Sequence, residues 1–347
     1  MENNEITEEQ AESIFPPDIL RAWLNNTSAS CFYDRLKWKV MGQDEELKKA
    51  AILIYGFITA MACGRCEKRF HFLIEGTSGC GKSTFAYALQ ELLPCPVIVA
   101  DASSITPAGY KGADICDIIT SKDIQSFWGC CVLVLDEIDK LMQPTHSSTD
   151  GNFHLEALHT LLKLMDGGVI TSRNGEQIYC NKILVIGMGA FTPLRQVKEN
   201  NIRRKIGFEA ENRSVATQKS QDTETERVNK ESMAKFCGSE QFLGRFLSIL
   251  HFKKLTPNML LQIAWQTEGE IREIYGCGFS LSRERRLEIV DSATETDYGA
   301  RGIKSAVWED FLSSDEEWVI KNEDAFPNTD FDTFMEKNME AVLNTRK

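Results

Sequence analysis

Gly76-Thr77-Ser78-Gly79-Cys80-Gly81-Lys82-Ser83, continued by Thr84, follows the spacing G-x-x-x-x-G-K-[ST]. Glycines so placed let backbone N–H groups turn inward around an anion, the lysine ammonium reaches phosphate oxygens, and the serine hydroxyl suits a hard cation. Nucleotide phosphates are the matching ligand. Context decides whether the pattern means this: residues 70–74 read as a short buried strand, and residues 83–93 read as a helix that Pro94 stops. Strand, glycine loop and helix form the arrangement this chemistry requires.

Residues 131–135, Cys-Val-Leu-Val-Leu, suit a parallel strand buried on both faces, and the run ends in Asp136-Glu137. The C-terminal edge of an α/β sheet is where such sheets bind ligands. Asp136 is expected to hold Mg2+, directly or through water, and Glu137 to polarise the water that attacks a γ-phosphate. This is a Walker B pattern, and with the glycine loop it implies one ATP-hydrolysing site. A strand followed by a solvated acidic turn is the plainer alternative for the same residues.

Length and composition bound the elements that must position these groups. The 347 residues allow two domains, and the 42% apolar content is ordinary for a globular protein. A formal charge of −12 argues against broad electrostatic attachment to nucleic acid or to an anionic membrane. The 11 cysteines are too scattered for a disulfide framework, and the acidic start Met1-Glu2-Asn3-Asn4-Glu5 does not read as a secretory signal. A reducing cytoplasm is the expected setting. Residues 50–63 are apolar but too short to span a bilayer and read as a core helix. Cys63-Gly64-Arg65-Cys66 is the only C-x-x-C and has no second pair at zinc-site spacing. Cys130 and Cys131 should face opposite sides of their strand, as core thiols rather than a redox pair.

Helix-like patterns over 43–61, 83–93, 115–121 and 155–165 alternate with strand-like patterns over 70–74, 97–101, 132–135 and 182–188. That alternation predicts an α/β fold with a mostly parallel sheet covered by helices on both faces. Residues 1–34 read as a polar extension holding a short helix, and 35–250 as the α/β domain. Residues 251–323 read as a small helical domain, with helices over 257–275, 282–293 and 301–311, and 324–347 as an acidic tail. The charged stretch 196–240 reads as an exposed loop.

With these segments placed, residues 40–311 resemble the AAA+ family, and within it the ClpX-type protein unfoldases. The resemblance implies an AAA+ P-loop NTPase core, a small, mainly α-helical domain, and ATP with Mg2+ as cofactors. Val40-Met41-Gly42-Gln43 resembles the segment that contacts adenine ahead of the first helix, although a helix cap at Gln43 accounts for the same residues. Ala108-Gly109-Tyr110-Lys111-Gly112 is similar to the family's pore loop. Glycines around an aromatic let the ring project into a channel and grip polypeptide of any sequence, although G-Y-x-G alone is more often a turn. Members usually have Val at the position of Lys111, which implies a leaning toward acidic substrate segments. A second pore loop would fall in residues 143–152. Residues 182–191 resemble the sensor 1 strand, with Gly187 and Gly189 where many members have Asn or Thr, so no side-chain role is assigned there. Phe242-Leu243-Gly244-Arg245-Phe246-Leu247 resembles the region in which an arginine reaches the neighbouring subunit's ATP; a surface salt bridge is the plainer alternative. Gly299-Ala300-Arg301-Gly302-Ile303-Lys304-Ser305 resembles sensor 2, which implies that Arg301 contacts the γ-phosphate in its own subunit.

Ile206-Gly207-Phe208 resembles the hook by which ClpX-type unfoldases dock into the ClpP peptidase ring. Two large apolar residues in a polar loop need burial, by a partner or by the loop itself. The resemblance thus implies a homo-hexamer that threads unfolded or tagged proteins through an axial pore into a ClpP-like peptidase. An HslU-like protease ATPase shares Gly-Tyr-x-Gly but carries a large inserted domain that this chain lacks. A nucleotide-switched AAA+ scaffold without translocation is the alternative of another class. No four-cysteine zinc domain precedes residue 40, and the basic loop before sensor 1 is reduced to Ser172-Arg173-Asn174-Gly175-Glu176. Adaptor docking and tag recognition are therefore left open by the resemblance.

Overall fold

The computed structural model describes residues 17–105, 115–119, 127, 129–142, 153–172, 175, 177–194, 230–237, 239–276, 278–296 and 298–314. Its sheet is built from β1 (Phe72–Gly76), β2 (Val97–Asp101), β3 (Cys131–Asp136), β6 (Ile183–Gly189) and β7 (Ser248–Phe252). All neighbours are parallel, in the order β2-β3-β6-β1-β7. A short antiparallel hairpin, β4 (Val169–Thr171) with β5 (Gln177–Tyr179), stands outside it.

Alternation along β3 shows how the sheet is covered. Val132 and Val134 enter one hydrophobic core while Cys131, Leu133 and Leu135 enter the other, so the continuous apolar run is buried on both faces. The first core is closed by α1 (Pro17–Asn26), α2 (Ala29–Lys39), α3 (Asp44–Ala62) and α4 (Lys82–Leu92), through residues such as Leu20, Phe32, Ile54 and Phe85. The second is closed by α5 (Ile115–Ile119), α6 (Ile138–Leu141), α7 (Phe153–Met165), α8 (Lys230–Cys237) and α9 (Glu240–Gly244), through Ile119, Ile138, Leu161, Met233 and Phe242. Cys130 lies in the first core and Cys131 in the second, as strand alternation requires.

Two boundaries differ from the sequence reading. The described part of the expected extension 1–34 is packed into the first core: Leu20 and Phe32 are fully buried, and Trp23 Nε1 donates to the Leu92 carbonyl at 3.1 Å. Each of these helices has a single apolar face among polar residues, so composition alone hides the burial. The large unit also runs to Lys254 rather than ending at 250, because β7 adds a fifth strand beside β1. Ser248 and His251 interrupt the apolar signal of that strand.

The second unit begins at Leu255 and contains α10 (Pro257–Tyr275), α11 (Arg283–Glu295) and α12 (Gly299–Ser314). Thr256 and Pro257 open α10, and Gly276, with φ of 62°, closes it in the left-handed conformation that favours glycine. Ile263, Ile271, Val290, Ile303 and Phe311 form its buried interior. The buried Glu268 carboxylate is satisfied by Arg286, Ser280 and the Leu281 N–H.

In the large unit the N-terminal ends of the strands are tied together by His71. Its buried ring accepts at Nδ1 from the Val185 N–H (3.0 Å) and donates from Nε2 to the Met165 carbonyl (2.9 Å), which fixes the neutral tautomer. Burial pushes its pKa down from 6.5 to about 4. The unfolded chain therefore binds the proton more readily, so the contribution to stability is intact above the unfolded pKa and is lost as pH falls from there toward 4. Between pH 7.5 and 5, urea unfolding should lose about 2 kcal/mol from this group. A His71→Gln chain should lose correspondingly less over the same interval, and equal pH slopes in the two chains would remove His71 as the source.

Candidate nucleotide site

The expected strand, loop and helix are present. β1 ends at Gly76 and α4 begins at Lys82. Gly79 and Gly81 have φ of 70° and 105°, backbone angles that a side chain would strain. At Gly76 the constraint is space: a Cβ there would stand 2.7 Å from Cys80 Sγ and 2.8 Å from the Phe252 carbonyl oxygen. The Cys80 side chain is buried in the first core beneath the loop, so only its backbone faces a ligand. Lys82 Nζ donates to the carbonyls of Gly76 (2.6 Å) and Thr77 (2.9 Å), which draws the ammonium across the loop. Ser78, Gly79 and Gly81 complete the turn, while Ser83 and Thr84 begin α4.

Asp136 closes the site from β3, paired in register with Asp101 of β2. Its Oδ1 accepts from the Glu137 N–H at 2.9 Å. Burial raises the carboxyl above the usual carboxylate range, and that hydrogen bond together with the Lys82 ammonium pulls it back. Only β6 stands between β1 and β3 in this parallel sheet, so the loop after β1 and the carboxylate ending β3 share its C-terminal edge. Glu137 sits at φ 55° and ψ 32°, unusual for a residue with a side chain and characteristic of functional turns. Its carboxylate accepts from Lys140, one turn along α6.

The donor set fits a nucleotide with its cation. An ammonium, a helix N-terminus and glycine-freed amides stand opposite a carboxylate pair, and Thr77 Oγ1 is buried with no hydrogen-bond partner, a hydroxyl that a phosphate oxygen can satisfy.

Close packing explains the glycines of β6. A Cβ at Gly187 would lie 2.5 Å from Leu73 Cδ2 and 2.8 Å from Ile138 Cδ1, and one at Gly189 would lie 2.7 Å from Asp139 Oδ1. These positions let α6, and with it Glu137, lie directly against β6. Buried Asp139 locks the arrangement by accepting from the Phe191 N–H at 3.1 Å.

Gln43 occupies the N-terminal cap position of α3, but its side chain makes no capping hydrogen bond. Its buried amide donates to the carbonyls of Cys80 (3.1 Å) and Lys253 (2.8 Å) and accepts from the Lys253 N–H (2.8 Å). It thereby ties the phosphate loop to the end of β7. Val40 is buried with its Cγ1 3.4 Å from where a Gly81 Cβ would be, and half-buried Met41 follows it, so this segment adjoins the phosphate loop.

A glycine loop and a Walker-type carboxylate at the C-terminal edge of this parallel sheet match the family description "AAA domain (Cdc48 subfamily)" over residues 67–249. The chain belongs to the AAA family. The AAA match spans β1 to β6 and both nucleotide motifs. Two curated relatives are named ATP-dependent Clp protease ATP-binding subunit ClpX. That of Azotobacter vinelandii is 27% identical over 310 residues, covering 77% of this chain and 69% of the relative. That of Treponema denticola is 25% identical over 299 residues, covering 77% and 72%. The chain is thus a nucleotide-binding AAA+ ATPase, and it is similar to proteins named ClpX.

Arg245 stands apart from the loop within the large unit. Arg245 follows α9 and is paired in its own chain with Asp166: Nη2 lies 3.0 Å from Oδ2, and Nε donates to Oδ1. It precedes β7, so it lies at the N-terminal ends of the strands, whereas Lys82 and Asp136 lie beyond the C-terminal ends. About 16 Å of strand separates the two edges. Arg301 is exposed in the first turn of α12, in the second unit. Gly109, Tyr110, Lys111, Gly112, residues 143–152, Ile206, Gly207 and Phe208 lie outside the described residues. Among the described residues no group of three or more metal-ligating side chains is found, Cys63 and Cys66 included, and no helix is long and apolar enough to cross a membrane.

Sequence reasoning missed Asp166 and the work of Gln43 and His71. An acidic residue just before Gly167-Gly168 at a helix end was the available signal for the first; the partners of the other two are distant in sequence, with Lys253 lying 210 residues from Gln43. Gln43→Met, which keeps the shape but not the three hydrogen bonds, should lower stability by about 3 kcal/mol in urea unfolding and weaken ATP binding in a fluorescent-nucleotide titration. Glu137→Gln should keep nucleotide affinity and abolish turnover, while Lys82→Ala should lose affinity itself. Equal loss of affinity in both would overturn the division of roles.

Proposed function

We propose that the chain is an ATP-driven protein unfoldase and translocase, acting in the cytoplasm as a homo-hexameric ring that feeds a ClpP-like peptidase. The observation that carries this reading is the separation of Arg245 from the rest of the site. An arginine at the N-terminal edge of the sheet is too far from the phosphate loop of its own chain to meet that nucleotide, so a role in hydrolysis requires an adjoining copy. A closed ring of identical head-to-tail contacts supplies every site with one such arginine.

Within each subunit, Lys82 and the amides of residues 76–84 hold the phosphates, Val40 and Met41 flank the base, and Ser83 and Asp136 hold Mg2+. The cation, when bound, screens the negative charge of the phosphates. Glu137 orients and deprotonates the attacking water. Arg245 neutralises charge that develops in the neighbour's site, and Arg301 reports nucleotide state to the second unit. Tyr110, between Gly109, Lys111 and Gly112, grips unfolded or tagged polypeptide in the pore. Ile206, Gly207 and Phe208 dock on the peptidase, where several hooks binding together supply the affinity that one cannot.

The test separates chemistry from traction. ATP turnover of the wild-type chain should rise with an unfolded protein and not with single-stranded DNA. Tyr110→Ala should keep most basal hydrolysis, because the phosphate loop and Walker carboxylates are untouched, yet unfold a stable tagged protein at least tenfold more slowly. Stimulation by DNA alone, or wild-type unfolding by Tyr110→Ala, would overturn the reading.

A further inference from the structure

Asp166 is held more firmly than a surface carboxylate needs to be. It ends α7, where its N–H donates to the Leu162 carbonyl at 2.9 Å, and its own carbonyl accepts from Arg69 Nη2 at 3.0 Å. The preceding carbonyl, of Met165, is held by His71. Gly167 follows in the left-handed conformation with φ of 69°, and the Arg69 guanidinium occupies the space a Cβ would need there. The turn is thus fixed on both sides of Asp166, and its carboxylate meets Arg245 in a two-point pair, Nε to Oδ1 and Nη2 to Oδ2. The two side chains are 48% and 40% exposed, so another anion can reach the guanidinium and displace the carboxylate. Arginine pairs with phosphate in the same two-point geometry, and a phosphate carries more charge than a carboxylate.

We propose that Asp166 is a latch for Arg245, holding the guanidinium on its own subunit and surrendering it to the nucleotide phosphates of an adjoining copy. This rests on the trans role of Arg245 given above. An unassembled subunit then keeps its arginine satisfied, and each subunit contact exchanges a carboxylate partner for a phosphate one. Asp166 is a positioning residue, since it acts only through Arg245.

The test is ATP turnover of the full chain measured against subunit concentration, at saturating ATP and Mg2+. Asp166→Asn keeps the size of the side chain and removes its charge. It should reach half-maximal turnover at about a two- to five-fold lower subunit concentration than wild type, the range expected for losing one exposed ion pair. Asp166→Glu, which restores the charge, should return the curve toward wild type; in an Arg245→Ala background, where assembly against subunit concentration is read by sedimentation in place of turnover, Asp166→Asn should cause no shift. No shift, a shift that survives Arg245→Ala, or a fall in turnover at every concentration would each overturn the latch; the last would make Asp166 a support for the active geometry. If Asp166→Asn does not fold, Asp166→Ser in the same titration takes its place with the same expected shift. Wild-type turnover by Arg245→Ala would remove the trans reading itself, a result that none of the Asp166 variants can mimic.

Discussion

Because β1, β2, β3, β6 and β7 all run the same way, the loops that leave their C-terminal ends meet at one edge and those that enter their N-terminal ends meet at the other. A parallel sheet cannot mix the two. The phosphate loop after β1 and the carboxylates after β3 are neighbours for this reason alone, although some fifty residues of chain part them. The same polarity sends Arg245 to the far edge, among His71, Arg69 and Asp166.

Within that frame the site is shaped by contact distance as much as by charge. Gly76 lets the loop lie on the end of β7, and Gln43 then fastens the two through buried hydrogen bonds. The phosphate loop therefore shares a rigid support with Lys253, one residue from the end of the large unit. Gln43 thus joins the loop to the last strand before the second unit begins.

The parts of this fold that could be read in the sequence are those whose signals are local. Residues 97–101 and 257–275 carry their periodicity and stop signals in themselves, and both elements form with those bounds. The glycine loop is legible because its spacing is its mechanism. By contrast, β7 is recognisable only once β1 is beside it, since a strand interrupted by Ser248 and His251 shows little of its own. Gln43 reads as a side-chain cap because that role is local, whereas the partners of its amide, Cys80 and Lys253, are distant in sequence. Arg245 illustrates a further limit: the motif names the arginine, but the identity of Asp166 as its companion needs the folded chain.

The bare tip of β6 has a consequence for how this protein can change. Gly187 and Gly189 are not simply sites lacking a polar group, for Leu73, Ile138 and Asp139 already fill the volume such a group would take. Acquiring an asparagine or threonine there would be an ordered process. Smaller neighbours must come first, and each of those intermediates carries a void in the second core. A side chain at Gly187 or Gly189 therefore requires its neighbours to shift, and a library meant to install a reporter there gains by randomising the facing positions together with it.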